Sequence, residues 1–520
     1  MELKDAKTFV DYYKDQSIKF WHKNGDAVLL KAYQLIRFLK LKLYVCKVRL
    51  HETTHLAIKR YNQIELVDNE AIAQKFITYV EDYFPDDKGI LSKTMVLDLI
   101  VGQSTSYYNN KVFNHLPIYN VTIKPDTKDT CYLTFAHQVV KITKHELQQI
   151  PYHELDIAVF NNRKIDRRFK RNKNKLRGDY VKFVWNLSGH SPYRFKVFCT
   201  VLGYLIHNYK DPANPKMVIL IDQVIGELEA ANGGSGKSLF FKAIGHIRNL
   251  VELSGKKLQS NSRFAFQRID VWIDVILVND ASKTENLENW YNITADGFMT
   301  ERKYEKEQFI PHHLSPKICL SSNHMIRRPE GNSSERRVHE IEVSDYYGKD
   351  LSPNEEFERN LFGDEWTDKD WREFDNFIVF CVQYYLQFGL LTPPKINILK
   401  RKLIAEVGIE LIEFMDDKIT QGITKFHKKD TYDEFVKGGF INRKYIPQRN
   451  SFTRKLKKFF EYKQLNYTET PSDSKKYLEL LTDVKIEDVT TQTLKDKVVD
   501  YKLVDTPNKL TRLDNTLKTL

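Results

Sequence analysis

Ala231-Asn232-Gly233-Gly234-Ser235-Gly236-Lys237-Ser238 runs directly into Leu239-Phe240-Phe241-Lys242-Ala243-Ile244-Gly245-His246-Ile247, and the reading of that junction decides the fold. Small residues let backbone N–H groups turn inward on the phosphates of a nucleotide. The amphipathic helix that follows adds its positive end, Lys237 supplies a point charge, and the Ser238 hydroxyl reaches Mg²⁺. Gly233, Gly234, Ser235, Gly236, Lys237 and Ser238 are therefore the candidate nucleotide-binding residues, with ATP and Mg²⁺ the expected cofactors. Ala231 stands where glycine is commoner, which is tolerable if its φ stays negative. The strongest apolar strand upstream, Lys216–Ile221, stops well before the loop, so an inserted turn or short extra strand is expected over Asp222–Ala230.

Hydrolysis also needs a carboxylate for the metal, a group to orient water, and positive charge on the transferring phosphoryl group. Val275-Ile276-Leu277-Val278-Asn279-Asp280 is an apolar run ending in a carboxylate. Buried parallel strands read this way, and ligands sit at their C-terminal ends. Asp280 is thus the candidate metal ligand or water activator, alongside Ser238 on the metal; an acid-capped ordinary strand reads the same. Ile318-Cys319-Leu320-Ser321-Ser322-Asn323 is a second such strand. Asn323 is the candidate γ-phosphate sensor, although a strand-ending Asn is also a common turn former. Arg336-Arg337 leads into Val338–Val343, and either arginine suits a finger inserted across a subunit interface. Lys237, Asp280, Asn323, Arg336 and Arg337 make up the candidate catalytic set.

These motifs, in this order, resemble the superfamily 3 helicases of small viruses, phages and plasmids, and more narrowly the helicase part of phage and mobile-element primase-helicase proteins. The resemblance covers most of residues 100–350 and fades toward both ends. It implies an α/β fold with a P-loop (AAA+-like) ATPase core, a homo-oligomeric ring, usually a hexamer, with nucleotide at the subunit interfaces, and DNA unwinding driven by hydrolysis. Gly297–Lys306 matches that superfamily's additional motif, a hairpin that grips DNA in the central channel, which makes Arg302, Lys303 and Lys306 candidate DNA contacts. An exposed charged hairpin would look the same. Asn279 departs from the pattern, because many relatives carry two adjacent acids there. The motif set leaves two alternatives open: an ATPase that remodels DNA or acts in defence without unwinding, and an origin-binding protein with a vestigial nucleotide site.

Outside the core, the chain of 520 residues suggests several domains. A mixed α+β N-terminal region occupies 1–100, with helical spacing at Ala27–Leu41, alternation from Leu56 to Val67, and a helix at Asn69–Tyr83 capped by Asn69. A small β-rich unit and basic linker fill 101–177. Its run Arg163–Arg177 reads equally as solvated linker or phosphate contact. A helical collar and ATPase core take 178–395, closed by a helix near Trp371–Leu391. In 396–520, Ser451 looks like the cap of a helix whose apolar face is Phe452, Leu456, Phe459 and Phe460. Arg454, Lys455 and Lys458 line the other face, and short strands follow. This pattern resembles a winged helix, with a small helical domain as the plainer reading.

The net charge of +12 suits a polyanionic partner such as nucleic acid or an acidic membrane surface, and a generally basic, Lys-rich proteome reads the same; the resemblance implies DNA, single-stranded or forked. The five cysteines are far apart, with no metal-binding spacing, which fits a reducing compartment. The first residues hold no apolar core of signal-peptide length, and no run approaches the ~18 apolar residues of a membrane span. A soluble protein of a bacterial host cytoplasm is expected, with no membrane partner. His51-Glu52-Thr53-Thr54-His55 fits the HExxH zinc pattern, but its β-branched, alternating flanks predict a hairpin, where the two histidines cannot share a helix face. No acidic constellation supports primase chemistry in the first hundred residues, so a separate primase or polymerase partner is expected.

Overall fold

The computed structural model describes residues 20–481, apart from 25–26, 52, 84–92, 103–108, 224–233, 259, 261, 263–264, 283–284, 302–306, 324–325, 327–335, 395, 398–402, 405, 439–446, 464 and 471–476. At the N-terminal end, β1 (Trp21–Asn24) and β2 (Ala27–Leu30) form an antiparallel hairpin. The helical spacing over Ala27–Leu41 therefore breaks in two: Lys31 is extended, its amide donates to the Phe20 carbonyl at 2.7 Å, and α1 runs only over Ala32–Lys42. Cross-strand bonds to the first four residues outweigh their helical periodicity. β3 (Val45–Leu50), β4 (Thr53–Arg60) and β5 (Gln63–Leu66) make an antiparallel meander. His51 sits at the β3–β4 turn with φ +56 and His55 lies on β4, so the HExxH stretch is a hairpin, not a helix. Among the described residues no His, Cys, Asp or Glu cluster is fit to hold a metal.

Helix α2 covers Asn69–Tyr83 as the periodicity predicts, burying Ile72, Phe76 and Val80. Its cap is not Asn69 but Asp68, whose carboxylate accepts the Ala71 amide at 2.7 Å. α3 (Lys93–Gly102) and α4 (Asn110–Phe113) follow, and β6 (Ile118–Asn120) pairs in parallel with β3. β7 (Thr130–Phe135), β8 (Gln138–Thr143) and β9 (Leu147–Pro151) form a second meander. β10 (Val159–Phe160) leaves it to pair in parallel with β5. The first sheet thus draws strands from both sides of the boundary expected at residue 100. The cause is long-range: the Val159 amide bonds the Asn62 carbonyl at 2.7 Å and Phe160 packs edge-on against Trp272.

Helices α5 (Asp179–Leu187) and α6 (Pro192–Ile206) lead into a five-stranded, wholly parallel sheet. Its chain order is β11 (Met217–Asp222), α7 (Lys237–Lys242), β12 (Leu250–Ser254), β13 (Val275–Asn279), α8 (Tyr291–Ala295), the hairpin β14 (Gly297–Thr300) and β15 (Gln308–Pro311), β16 (Lys317–Ser322) and β17 (Val338–Val343). Across the sheet the order is β12-β13-β16-β11-β17. The first strand in sequence thus lies between the last two. Alternation divides the side chains between two cores. Val218, Leu220, Val275, Leu277 and Cys319 face α6 and the closing helices, whereas Met217, Ile219, Ile221, Ile276, Val278, Ile318 and Leu320 face the N-terminal sheet's Cys46, Val48 and Leu50. α9 (Pro353–Phe357) and the long α10 (Asp368–Phe388) close the unit. α10 starts before Trp371 because Thr367 and Asp370 form a capping box.

The basic run after β10 is neither a solvated linker nor a phosphate surface at its start. Arg163 pairs with buried Asp274 at 2.6 Å, and Arg167 grips Asp375 from both Nε and a terminal nitrogen. Asp274 belongs to a buried polar seam along the N-terminal edge of the parallel sheet. Burial alone would raise its pKa, yet Arg163, Lys124 and Arg248 carry it below the usual carboxylate value. Arg248 pairs with Asp126 at 3.0 Å. Lys317 donates to the carbonyls of Tyr204 (2.6 Å) and His207, closing the end of α6, and burial pushes its ammonium down to about 7.

The C-terminal unit comprises α11 (Ile409–Thr420), β18 (Lys425–His427), α12 (Lys428–Lys437), α13 (Arg449–Tyr462), β19 (Tyr467–Thr470) and β20 (Tyr477–Leu480), with an antiparallel sheet ordered β18-β20-β19. Phe452, Leu456, Phe459 and Phe460 are buried, as the apolar stripe predicts. Ser451, however, lies inside the first turn of α13. The helix begins two residues earlier, where extended Gln448 follows Pro447. Among the described residues, no helix is long and apolar enough to cross a membrane.

Candidate functional site

The C-terminal ends of β11, β13 and β16 converge on one cluster, and α7 begins there. Gly234 and Gly236 hold φ of +99° and +83°, the left-handed region that glycine alone enters without steric cost. A Cβ on Gly236 would also lie 2.9 Å from the Phe183 ring on α5. Ser235 donates from Oγ to Asp222 Oδ1 at 2.5 Å, and Lys237 Nζ donates to the same oxygen and to Ser235 Oγ at 2.8 Å. Strand β11 therefore does end at the loop in space. Asp222 is its last residue, and the chain returns to it after the intervening segment. That segment, with Ala231, Asn232 and Gly233, lies outside the described residues.

Ser238, at the start of α7, donates to Asn279 Oδ1 at the end of β13, and Ser321 Oγ on β16 donates to the same atom at 2.9 Å. The opposite end of that amide, Asn279 Nδ2, donates to Glu252 Oε1 on β12 at 2.7 Å. Asp280 takes φ +57°, a left-handed turn that Asp tolerates better than most side chains. Its amide donates to Ser321 Oγ at 3.1 Å, and its carboxylate pairs with Lys256 at 2.6 Å. The turn is clamped from below, because a Cβ on Gly255 would fall 2.5 Å from Ala281 Cα. Ser238 thus meets Asn279 rather than Asp280. Asn323 follows the last residue of β16 at the same end of the sheet, half-buried.

The remaining candidates lie elsewhere. Arg336 and Arg337 precede Val338, which pairs with Met217 at the start of β11, whereas Asp222 pairs with Val343. The six residues of β11 span about 17 Å, so the arginines sit at the opposite edge of the sheet from Lys237. Arg337 packs its guanidinium over the Tyr291 ring at 5.1 Å, while Arg336 is exposed. Strands β14 and β15 pair antiparallel, but Arg302, Lys303 and Lys306, between them in sequence, lie outside the described residues. On α13, Lys455 donates to the Val407 carbonyl at 3.0 Å and Lys458 pairs with Glu406 at 2.7 Å. Both are turned toward their own domain; Arg454 is exposed.

Three residues at the site escape the sequence reading. Asp222 carries the same signal as Asp280, a carboxylate closing an apolar strand, but the gap before the loop hides it. Ser321 shares a strand face with Asn323, and a bonded hydroxyl has no sequence mark distinguishing it from a buried one. Glu252 has no local signal at all. Its role follows from β12 lying beside β13 in parallel, with Ser254 opposite Asn279. The donor set at Ser238, Asn279 and Ser321 is made of hard oxygens, the chemistry Mg²⁺ prefers.

No protein-family model matches the chain, and no curated protein matches it. Among solved structures it is similar to the C-terminal region of NrS-1. The A-form apo structure of that region gives a TM-score of 0.41 at 13% identity, covering 86% of this chain and 99% of that one. A second apo structure gives 0.39 at 12% identity, covering 88% and 99%. Drosophila ORC bound to DNA aligns over 64% of this chain and 95% of its own, with a TM-score of 0.15 and 10% identity.

Proposed function

We propose that this chain is a Mg²⁺-dependent ATPase that translocates on single-stranded DNA and separates the duplex, a superfamily 3 type helicase serving replication of a phage or mobile element in a bacterial host cytoplasm. One observation carries the reading: Ser235 and Lys237 of the glycine-containing loop close on Asp222 at the end of an interior parallel strand, and the Ser238 hydroxyl joins strand-end groups from β13 and β16. Open α/β sheets bind ligands outside the carboxyl ends of their strands, where strand order reverses, and β11 is flanked by the last two strands of the sheet. In this reading backbone amides at Gly233–Ser238 cradle the phosphates and Lys237 exchanges Asp222 for phosphoryl oxygens. Ser238 and Asn279 would hold Mg²⁺, with Asp280 holding the metal through water or activating the attacking water, and Asn323 would sense the γ-phosphate. The metal supplies charge neutralisation on the phosphates.

Arg336 or Arg337, at the far edge from its own loop, acts on the loop of a neighbouring copy in a ring, with a hexamer the expected size. Arg302, Lys303 and Lys306, between β14 and β15 in sequence, and Arg454 on α13 contact the DNA backbone, and primer synthesis falls to a separate primase or polymerase. The test is a forked-duplex assay with ATP and Mg²⁺. Wild type opens the fork and Lys237→Ala does not. ATP turnover without strand separation establishes instead a DNA-remodelling or defence motor. Asn279 in place of an acid favours a second reading, an origin-binding protein with a vestigial site; ATP turnover that DNA leaves unstimulated, at background level, establishes that one.

A further inference from the structure

We infer that Glu252 is a positioning residue that lets a neutral amide, Asn279, take the place of a strand-end carboxylate at the metal site; the inference rests on the nucleotide-site reading above. An asparagine side chain has a carbonyl at one end and an amino group at the other, of nearly equal size, so its neighbours decide which end faces which way. At the site-facing end, Ser238 and Ser321 hydroxyls both reach Asn279 Oδ1. At the other end, Glu252 Oε1 accepts from Nδ2 at 2.7 Å. Glu252 is two residues before Ser254, the parallel partner of Asn279, so strand alternation puts it on the same face and one residue pair back, within reach of a glutamate but not of a shorter chain.

A flipped amide would set its carbonyl against the Glu252 carboxylate, oxygen to oxygen, and aim two N–H groups at the metal side. A carboxylate acts only as an acceptor, so Glu252 forbids that state. It also places a full negative charge behind the amide, which polarises the carbonyl toward the hard oxygen a divalent ion requires. Among the described residues, Lys242 from α7 lies 3.4 Å from Glu252 Oε2, and the Arg268 guanidinium donates to the Glu252 backbone carbonyl at 3.3 Å. With 39% of its side chain exposed, Glu252 is not needed to fill a core. Its place is better explained by what it does to Asn279.

The experiment uses the full chain and a fluorescent ATP analogue, with affinity measured as Mg²⁺ is titrated from zero. Glu252→Ala is expected to weaken the Mg²⁺-dependent part of binding by about tenfold or more, the range for removing an outer partner of a metal ligand, while metal-free nucleotide binding stays as in wild type. The exchange Asn279→Asp with Glu252→Gln moves the charge onto β13 and keeps the bond between the two side chains, and it should recover the Mg²⁺ response. An unchanged Mg²⁺ response in Glu252→Ala overturns the inference. So does an equal loss with and without metal, which marks a merely structural glutamate, or a folded double variant that recovers nothing. If wild type binds no nucleotide under either condition, the nucleotide-site reading itself has failed, and that result is separable from the others.

Discussion

Asn279 bonds in three directions, to hydroxyls of Ser238 and Ser321 and to the Glu252 carboxylate, and so ties together α7, β16 and β12. Single-atom tolerances around it are correspondingly tight. Gly255 lies beneath the left-handed Asp280 turn with its amide donating to Asn279 O at 2.7 Å. Adding one methyl group there forces the 280–281 backbone away, because the clash is with backbone atoms at 2.5–2.7 Å rather than with a flexible side chain. Gly255→Ala is expected to cost about 1–3 kcal/mol in chemical denaturation, the usual range for overpacking, and, on the proposed nucleotide-site reading, to slow ATP turnover. Unaltered stability would show that the turn has room the geometry denies it. At this scale the sequence was legible where backbone conformation follows residue type: Gly234 and Gly236 take positive φ, and Lys237 opens a helix. It was opaque wherever a partner arrives from another strand, as Glu252 does, because register across a parallel sheet is set by the long connections between strands.

Among the elements, the strands of the parallel sheet were readable because burial on both faces leaves uninterrupted apolar runs, such as Val275–Val278 and Ile318–Leu320. The elements that misled were short or competed for. Ala27–Leu30 has helical spacing but is claimed by a hairpin, and Val159–Phe160 leaves its neighbours for a strand far back in the chain. Helix α13 is a third case, with its start shifted and two of its lysines spoken for. Amphipathic spacing says which face is polar, but not whether that face meets solvent or the preceding segment, here Glu406 and Val407. Two different outcomes follow in salt-dependent binding to single-stranded DNA. Arg454→Ala should flatten the plot of log affinity against log salt by about one unit, as expected for one lost phosphate contact. Lys455→Ala should leave that slope alone and lower the melting temperature, since its bond is internal. A reversed pattern would place the nucleic-acid face of this unit elsewhere.

Taken whole, the molecule joins its N-terminal and β-rich parts to the five-stranded parallel sheet through apolar packing and a seam of buried charge: Lys124, Asp126, Arg163, Arg248, Asp274 and Lys317. The seam gives folding a pH dependence of definite sign. Lys317 titrates near 10.5 when unfolded but near 7 when folded, and Lys124 is lowered to about 8. Within that window the unfolded chain holds more protons, so stability rises with pH and is lost as pH falls toward 7. The buried thiols act in the opposite sense at higher pH, with Cys46 pushed up to about 11, so the clean interval is about pH 7 to 8.5. Unfolding free energies from urea titrations should climb across that interval by up to about 1 kcal/mol per pH unit per lysine, and the midpoints with them. In Lys317→Met the climb should shrink, although that protein is weaker throughout, because the Tyr204 and His207 carbonyls lose their donor. A midpoint that declines in wild type would contradict the assignment.

The sheet itself carries one more implication. The arginines before β17 and the lysine after β11 stand at opposite ends of the same slab, so if the proposed ring is right, a solitary copy would hold two halves of different reaction centres. Catalytic output would then belong to the population: dilution would silence the protein without unfolding it, and crowding would wake it.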